Sequence, residues 1–243
     1  MNYRVLGRTG LNVSEVSFGT VPLGVKNYIE VWDPDDAATQ QSVHDTLLRA
    51  LDLGYNYFDT AASYGEGRSE ELLGRMLKDR HDECFVATKT PIPDGGWADV
   101  TPDYVLSETE ASLKRLQVDY IDVLQVHGVT FTSDERKAVL NVVVPAYLKL
   151  KEQGKIRFLG LTNQTSIGVD EFIASGFFDV LQIRYNIIYQ EPFDTFLDAA
   201  VAQGIGITVN RPMTSGIFQK LMRQAVGNID DVLDLNALCL RFC

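Results

Sequence analysis

Four residues of types that can move a proton lie at or just beyond the ends of short apolar runs: Asp59, Tyr64, Lys89 and His127. Each alone has an ordinary reading. A lysine at a strand end is solvated, a lone histidine is a hydrogen-bonded structural group, and an aspartate after Phe58 caps a turn. Together they form a coherent chemical set. Asp59 can pair with Lys89, the Lys89 ammonium can lower the Tyr64 hydroxyl from its ordinary pKa of about 10, and His127 can hydrogen-bond a carbonyl oxygen. Such a set protonates an oxygen.

For these side chains to meet, the elements that carry them must converge. Strand candidates rich in β-branched residues recur at 15–19, 55–59, 84–89, 119–126, 156–161, 179–183 and 205–209, with helical periodicity between them. In 39–53, Val43, Leu47, Leu48 and Leu51 share a face, and Gly54 follows as a left-handed stop. Thr101-Pro102 opens another helix with a cap and a proline, and Gly154 and Gly204 end two more. Strand-then-helix units with short connections imply a parallel sheet. An open dinucleotide-binding sheet would carry G-x-G-x-x-G after its first strand. Here the early candidate Gly65-Glu66-Gly67 follows the second strand and has Glu70 in place of the third glycine. The expected fold is therefore a (β/α)8 TIM barrel made of one domain over residues 1–243. A hairpin from Met1 to about Asn12, turning at Gly7-Arg8-Thr9-Gly10, would cap its bottom. In such a barrel the strand ends that carry Asp59, Lys89 and His127 ring one mouth.

Composition bounds the partners. With 22 Lys+Arg against 33 Asp+Glu the net charge is −11, and no basic cluster offers to neutralise phosphates, so nucleic acid is excluded as a ligand. Cys84, Cys239 and Cys243 are too few and too badly spaced for a disulfide framework or a metal site. The N-terminal residues lack a signal-peptide core and no apolar run reaches the ~20 residues of a membrane span, so a cytoplasmic protein with no membrane partner is expected.

The sequence also resembles a known family. Phe58-Asp59-Thr60-Ala61-Ala62-Ser63-Tyr64-Gly65, Ser69-Glu70-Glu71-Leu72-Leu73-Gly74, Ala87-Thr88-Lys89-Thr90, Val118–His127 and Gly154–Gly160 stand in the order and spacing of the aldo-keto reductases. Leu6–Leu11 and Leu116–Tyr120 make it most similar to the bacterial oxidoreductases related to galactose dehydrogenase. The resemblance implies an oxidoreductase that moves a hydride between NADP(H) or NAD(H), without a readable preference, and the carbonyl of a small molecule or sugar. Tyr64 would be the general acid and base, Lys89 and Asp59 would tune it, and His127 would orient the carbonyl. The resemblance places Gly19 and Thr20 beside the cofactor, and Asp59 borders it as well. Thr162, Asn163 and Gln182 would lie at its carboxamide, and Asn210, Arg211, Pro212, Met213 and Ser215 in the segment that wraps it. For Asn163 and Gln182 the residues alone also allow plain loop capping. Where many members stack an aromatic residue on the nicotinamide, this chain has Asn210-Arg211.

Substrate signals are sparse. Tyr28 and Trp32 in the first loop and Trp97 in the third would overhang the mouth, and Trp97 could equally be loop packing. The last helix candidate, about Asp231 to Phe242, is the seventh, so the eighth strand and helix are expected to be lacking. The first and seventh strands would then have bare edges that invite self-association. A non-catalytic relic or binding module that keeps the fold is the rival reading. A barrel enzyme acting on a sugar phosphate fits less well, because its phosphate site would need the eighth strand.

Overall fold

A computed structural model of the chain describes residues 1–28, 31–226 and 234–243. An antiparallel hairpin, β1 (Tyr3–Val5) and β2 (Asn12–Ser14), precedes seven strands that pair in parallel in chain order. These are β3 (Phe18–Gly19), β4 (Tyr57–Asp59), β5 (Phe85–Thr90), β6 (Ile121–Val126), β7 (Ile156–Asn163), β8 (Val180–Arg184) and β9 (Gly206–Asn210). All seven predicted strands are present, though the first keeps only two ladder residues. Among the described residues β3 and β9 each have a ladder partner on one side only, so the sheet curls as part of a (β/α)8 barrel without closing.

Helices on the outer face make the crossovers: α1 (Val21–Gly24) and α2 (Ala37–Asp52) after β3, α3 (Arg68–Arg80) after β4, and α4 (Pro102–Leu116) after β5. Beyond β6 come α5 (Ser133–Ala138), a π-helical turn at Val139–Val143, and α6 (Val144–Glu152). The wide turn runs straight into Pro145, which cannot donate to an α-helical ladder, and so spares the helix an abrupt break. Next are α7 (Val169–Ser175), α8 (Glu191–Thr195), α9 (Leu197–Ala202), α10 (Ile217–Val226) and α11 (Leu235–Phe242). The predicted caps are realised: Thr101 Oγ1 accepts from the Tyr104 amide at 3.2 Å, and Gly54, Gly154 and Gly204 turn the chain after α2, α6 and α9. The start of the last predicted helix, at Asp231, lies outside the described residues; from Asp234, which caps it, α11 is as expected.

Strand side chains alternate with a period of two, and this decides what faces inward. Tyr57, Ala87, Val123 and Val180 form an apolar floor that Leu6, Leu11 and Val13 of the hairpin region seal from below. Two residues further along the same strands the inward positions turn polar: Asp59, Lys89, Gln125 and Gln182. Outside the sheet, Leu72, Leu73 and Met76 of α3, Leu113 and Leu116 of α4, and Tyr147 and Leu150 of α6 pack into one large apolar cluster. Each such side chain taken from water contributes about 1.5–3 kcal/mol. One buried charge crosses this layer. Glu70 accepts from Thr88 Oγ1 at 2.5 Å and from Arg115 Nε at 2.6 Å, which locks α3 and α4 to β5.

Candidate active site

The polar layer is held from five strands, β4 to β8. Lys89 is fully buried, and its Nζ donates to Asp59 Oδ1 and Oδ2 at 3.0 and 2.8 Å and to the Thr60 carbonyl at 2.7 Å. The same ammonium lies 3.3 Å from the Tyr64 hydroxyl. Asp59 Oδ1 is further satisfied by Gln182 Nε2 at 2.8 Å and Gln125 Nε2 at 3.3 Å, and Gln125 Oε1 in turn accepts from Thr162 Oγ1 at 3.4 Å. A carboxylate with this many donors cannot rotate, so the ammonium it holds has one position. Gly160 makes room for the arrangement: a Cβ there would lie 2.6 Å from Gln125 Cγ.

Tyr64 is placed by the loop between β4 and α3. Its amide donates to the Ala61 carbonyl at 3.1 Å, and its carbonyl accepts from the Ser69 amide at 3.2 Å. Gly65 follows at φ 59°, and a Cβ there would come within 2.0 Å of the Gly24 carbonyl oxygen, so both conformation and space demand glycine. The loop thus has one path, and it delivers the phenol beside Lys89.

The electrostatics correct one expectation. Burial is the largest influence on Tyr64 and pushes its pKa above the ordinary value; Lys89 pulls it only part of the way back, while Asp59 and Tyr28 add to the rise. The sequence predicted a net lowering by Lys89, because the desolvation that outweighs it is a property of the folded site. Burial alone would also lower the Lys89 ammonium, but the charge of Asp59 and the hydrogen bonds around it more than offset this, and its pKa is raised. His127 is driven down to about 4, first by burial and then by the Lys89 charge, so its ring is neutral. That ring stands edge-on to Tyr64 at 6.0 Å between centroids, and its Nδ1 lies 3.3 Å from Ser63 Oγ.

The other sequence-predicted residues fall at the same rim with different surroundings. Gly19 is exposed at the end of β3, and Thr20 is buried with its hydroxyl unpartnered among the described residues. Thr162 and Asn163 are buried at the end of β7. Asn163 Oδ1 accepts from the Thr165 amide at 3.4 Å, the capping contact anticipated for it, while its Nδ2 is buried without a partner among the described residues. Asn210 ends β9 with Oδ1 buried and, among the described residues, unpartnered. Arg211, Pro212, Met213 and Ser215 form the turn beyond it, where Arg211 and Ser215 adopt φ of 57° and 54° and the Arg211 carbonyl accepts from Asn186 Nδ2 at 3.1 Å.

Of the three substrate candidates, Tyr28 is exposed and Trp32 is half-buried with its indole N–H on the Leu23 carbonyl at 2.9 Å. Trp97 does not overhang the mouth. It is 1% exposed, packed in the outer apolar cluster, and its indole N–H donates to the His127 carbonyl at 2.8 Å, so it braces His127 from behind. An indole in a loop of Pro and Gly gives no sequence sign of which way it turns. Gln125 and Ser63 were missed. A glutamine at an inward position of the otherwise apolar end of β6 was a readable signal for the first; nothing in the sequence marks the second.

Comparison with known proteins agrees with this fold. The model of the Aldo/keto reductase family matches residues 15–232. L-galactose dehydrogenase of Arabidopsis thaliana is 34% identical over 228 residues, covering 88% of this chain and 66% of that protein. NADH-specific methylglyoxal reductase of Escherichia coli is 30% identical over 231 residues, covering 87% and 67%. The chain thus spans about two thirds of the length of these relatives. The holo form of an aldo-keto reductase from Bacillus halodurans superposes with a TM-score of 0.81 at 27% identity, over all of this chain and 82% of that one. No helix among the described residues is long and apolar enough to cross a membrane. The chain belongs to the aldo/keto reductase family.

Proposed function

We propose that residues 1–243 act as one domain that reduces the carbonyl of a small molecule, with Tyr64 as the acid and a nicotinamide dinucleotide as the reductant. The observation that carries this reading is the buried Asp59–Lys89 pair held against the Tyr64 hydroxyl, a phenol whose pKa lies above its ordinary value and which therefore holds its proton at neutral pH.

The rim fits the cofactor's carboxamide. Among the described residues Asn163 Nδ2 is a buried donor without a partner, and on the neighbouring strand Gln182 spends its Nε2 on Asp59 and keeps its Oε1. One donor and one acceptor are what a primary amide requires. Thr162, Asn163 and Gln182 would hold that amide; Gly19, Thr20 and the 210–215 turn would border the remainder. When bound, the nicotinamide supplies a hydride to the carbonyl carbon.

The chain's own residues handle the proton. As charge builds on the carbonyl oxygen, Tyr64 passes its proton to it, the O–H bond of the phenol breaks, and the resulting phenolate sits against the Lys89 ammonium. Asp59 keeps that ammonium charged and in place, and His127, neutral, donates an N–H to the same oxygen. Tyr64 regains its proton from solvent through the open mouth. Tyr28 and Trp32 would border the substrate. Among the described residues β3 and β9 each have a ladder partner on one side only, and a second copy of the chain would pair on the other.

Titration of the chain with NADPH and NADH, followed by loss of nicotinamide absorbance on adding a reactive aldehyde, tests the proposal. Binding with turnover is expected. A folded chain that binds neither dinucleotide would overturn it in favour of a non-catalytic role.

The pH dependence follows from the same groups. With His127 neutral above about pH 4 and Tyr64 protonated beyond its ordinary range, kcat for reduction should be flat between about pH 6 and pH 9. Stability should not be flat. Between pH 6.5 and about 4 the unfolded chain binds the His127 proton and the folded chain does not, so stability drops as pH falls through that window, by up to roughly 3 kcal/mol. Melting temperatures at pH 7 and pH 4.5, compared with those of His127→Asn, isolate this contribution.

A further inference from the structure

We propose that Ser63 is a positioning residue that sets the tautomer of His127: its hydroxyl donates to Nδ1 and keeps the ring proton on Nε2, the nitrogen that faces the substrate's oxygen. The proposal rests on the reading of the site as a carbonyl reductase and assigns a role to a side chain outside the four-residue set.

A neutral imidazole has one N–H and one lone pair, and which nitrogen carries the proton is decided by the hydrogen bond the other one makes. His127 is neutral at pH 7 because burial and the Lys89 charge lower its pKa to about 4. Its Nδ1 has a single partner, Ser63 Oγ at 3.3 Å, and among the described residues its Nε2 has none. The Ser63 hydroxyl makes no other hydrogen bond among the described residues, so it is free to aim its proton at Nδ1. The opposite tautomer would make Ser63 the acceptor and turn a lone pair of Nε2 toward the carbonyl oxygen, a repulsive contact where catalysis requires a donor.

The geometry around this pair supports selection rather than accident. The His127 carbonyl is held by the buried indole of Trp97, which fixes the backbone from which the ring hangs. Ser63 is the residue before Tyr64, in the loop that Gly65 confines to one path. One short segment therefore places the acid and, through Ser63, prepares the second donor to the same oxygen.

The chain has three histidines, His44, His81 and His127, so long-range proton–nitrogen NMR spectra of the 15N-histidine-labelled 243-residue protein at pH 7 contain three imidazole patterns, and His127→Asn identifies the relevant one by its loss. The expected result is a protonated Nε2 and an unprotonated Nδ1 for His127. In Ser63→Ala, which alters an exposed side chain, the two nitrogen shifts should move toward each other as both tautomers populate. There kcat/KM for the carbonyl should fall about tenfold, the worth of one oriented neutral hydrogen bond, with dinucleotide Kd unchanged. Ser63→Thr should restore both readouts. A protonated Nδ1 in the native chain, or an unaltered pattern in Ser63→Ala, overturns the proposal. The spectrum needs no turnover, so an inactive chain with the expected tautomer refutes the reductase reading alone, and an active chain with a protonated Nδ1 refutes the role of Ser63 alone.

Discussion

Tyr64→Phe should lower kcat for carbonyl reduction by a hundred- to ten-thousand-fold, the usual worth of a positioned general acid, while leaving the fold and dinucleotide binding intact. The aromatic ring is retained, so its packing and its edge-on contact with His127 are unchanged. Among the described residues the hydroxyl that is lost has one hydrogen-bond contact, the 3.3 Å approach of Lys89, whose other three contacts remain. The stability change should therefore stay within about 1 kcal/mol. Single-turnover rates with a reactive aldehyde and a melting curve separate the two readouts. A variant that keeps its rate would remove Tyr64 from the acid role and shift attention to water or His127 as the proton source.

Lys89→Met should damage both stability and rate. The methionine chain fills most of the space of the lysine stem, but it leaves the Asp59 carboxylate without its cation in a site where, among the described residues, only Gln125 and Gln182 still donate to it. Removing one member of a buried ion pair typically costs 3–5 kcal/mol; because Asp59 is partly solvated, with its side chain 15% exposed, about 3 kcal/mol is expected, measured by denaturant unfolding. The double variant Asp59→Asn, Lys89→Met removes the stranded charge as well and should recover most of that stability and none of the rate, since the phenolate formed on proton transfer would still lack its counter-charge. Equal stability of the single and double variants would mean that the pair is not electrostatically coupled. Recovery of rate in the double variant would mean that the cation is not what stabilises the phenolate.

Much of the fold was legible because its signal is local and repeated. Seven β-branched runs separated by capped helices force a parallel sheet, and every predicted strand appears, since burial on both faces selects the same residue types each time. The first strand is the exception. Predicted over 15–19, it keeps only Phe18 and Gly19 in the ladder, because Ser14 and Asn56 bond to each other and hold the approach to the strand out of register with β4. The residues of the site were legible for a related reason: Asp59, Lys89 and His127 are ionisable groups at the ends of apolar runs, and such positions on neighbouring parallel strands converge on one mouth.

Three features depended on three-dimensional surroundings. Trp97 reads equally well as a mouth residue or as core, and only the packing of its loop against His127 and α5 turns it inward. The direction of the Tyr64 shift needed the balance between a cation at 3.3 Å and the loss of water around the phenol, and water loss is invisible in a string of residue types. The Ser63–His127 contact joins positions 64 residues apart in the chain, and the sequence offers no periodicity that would relate them.

By itself the sequence determined the class of architecture, the family and which four ionisable residues stand at or beyond the ends of apolar runs, because hydrophobic period, turn chemistry and motif spacing are properties of the chain that hold before it folds. The tertiary structure alone decided how those residues behave: which nitrogen of His127 meets Ser63, that Gln125 and Gln182 pin Asp59, and that Tyr64 keeps its proton. These depend on distances of about 3 Å and on exclusion of water, and both arise only when strands far apart in sequence close around a common centre.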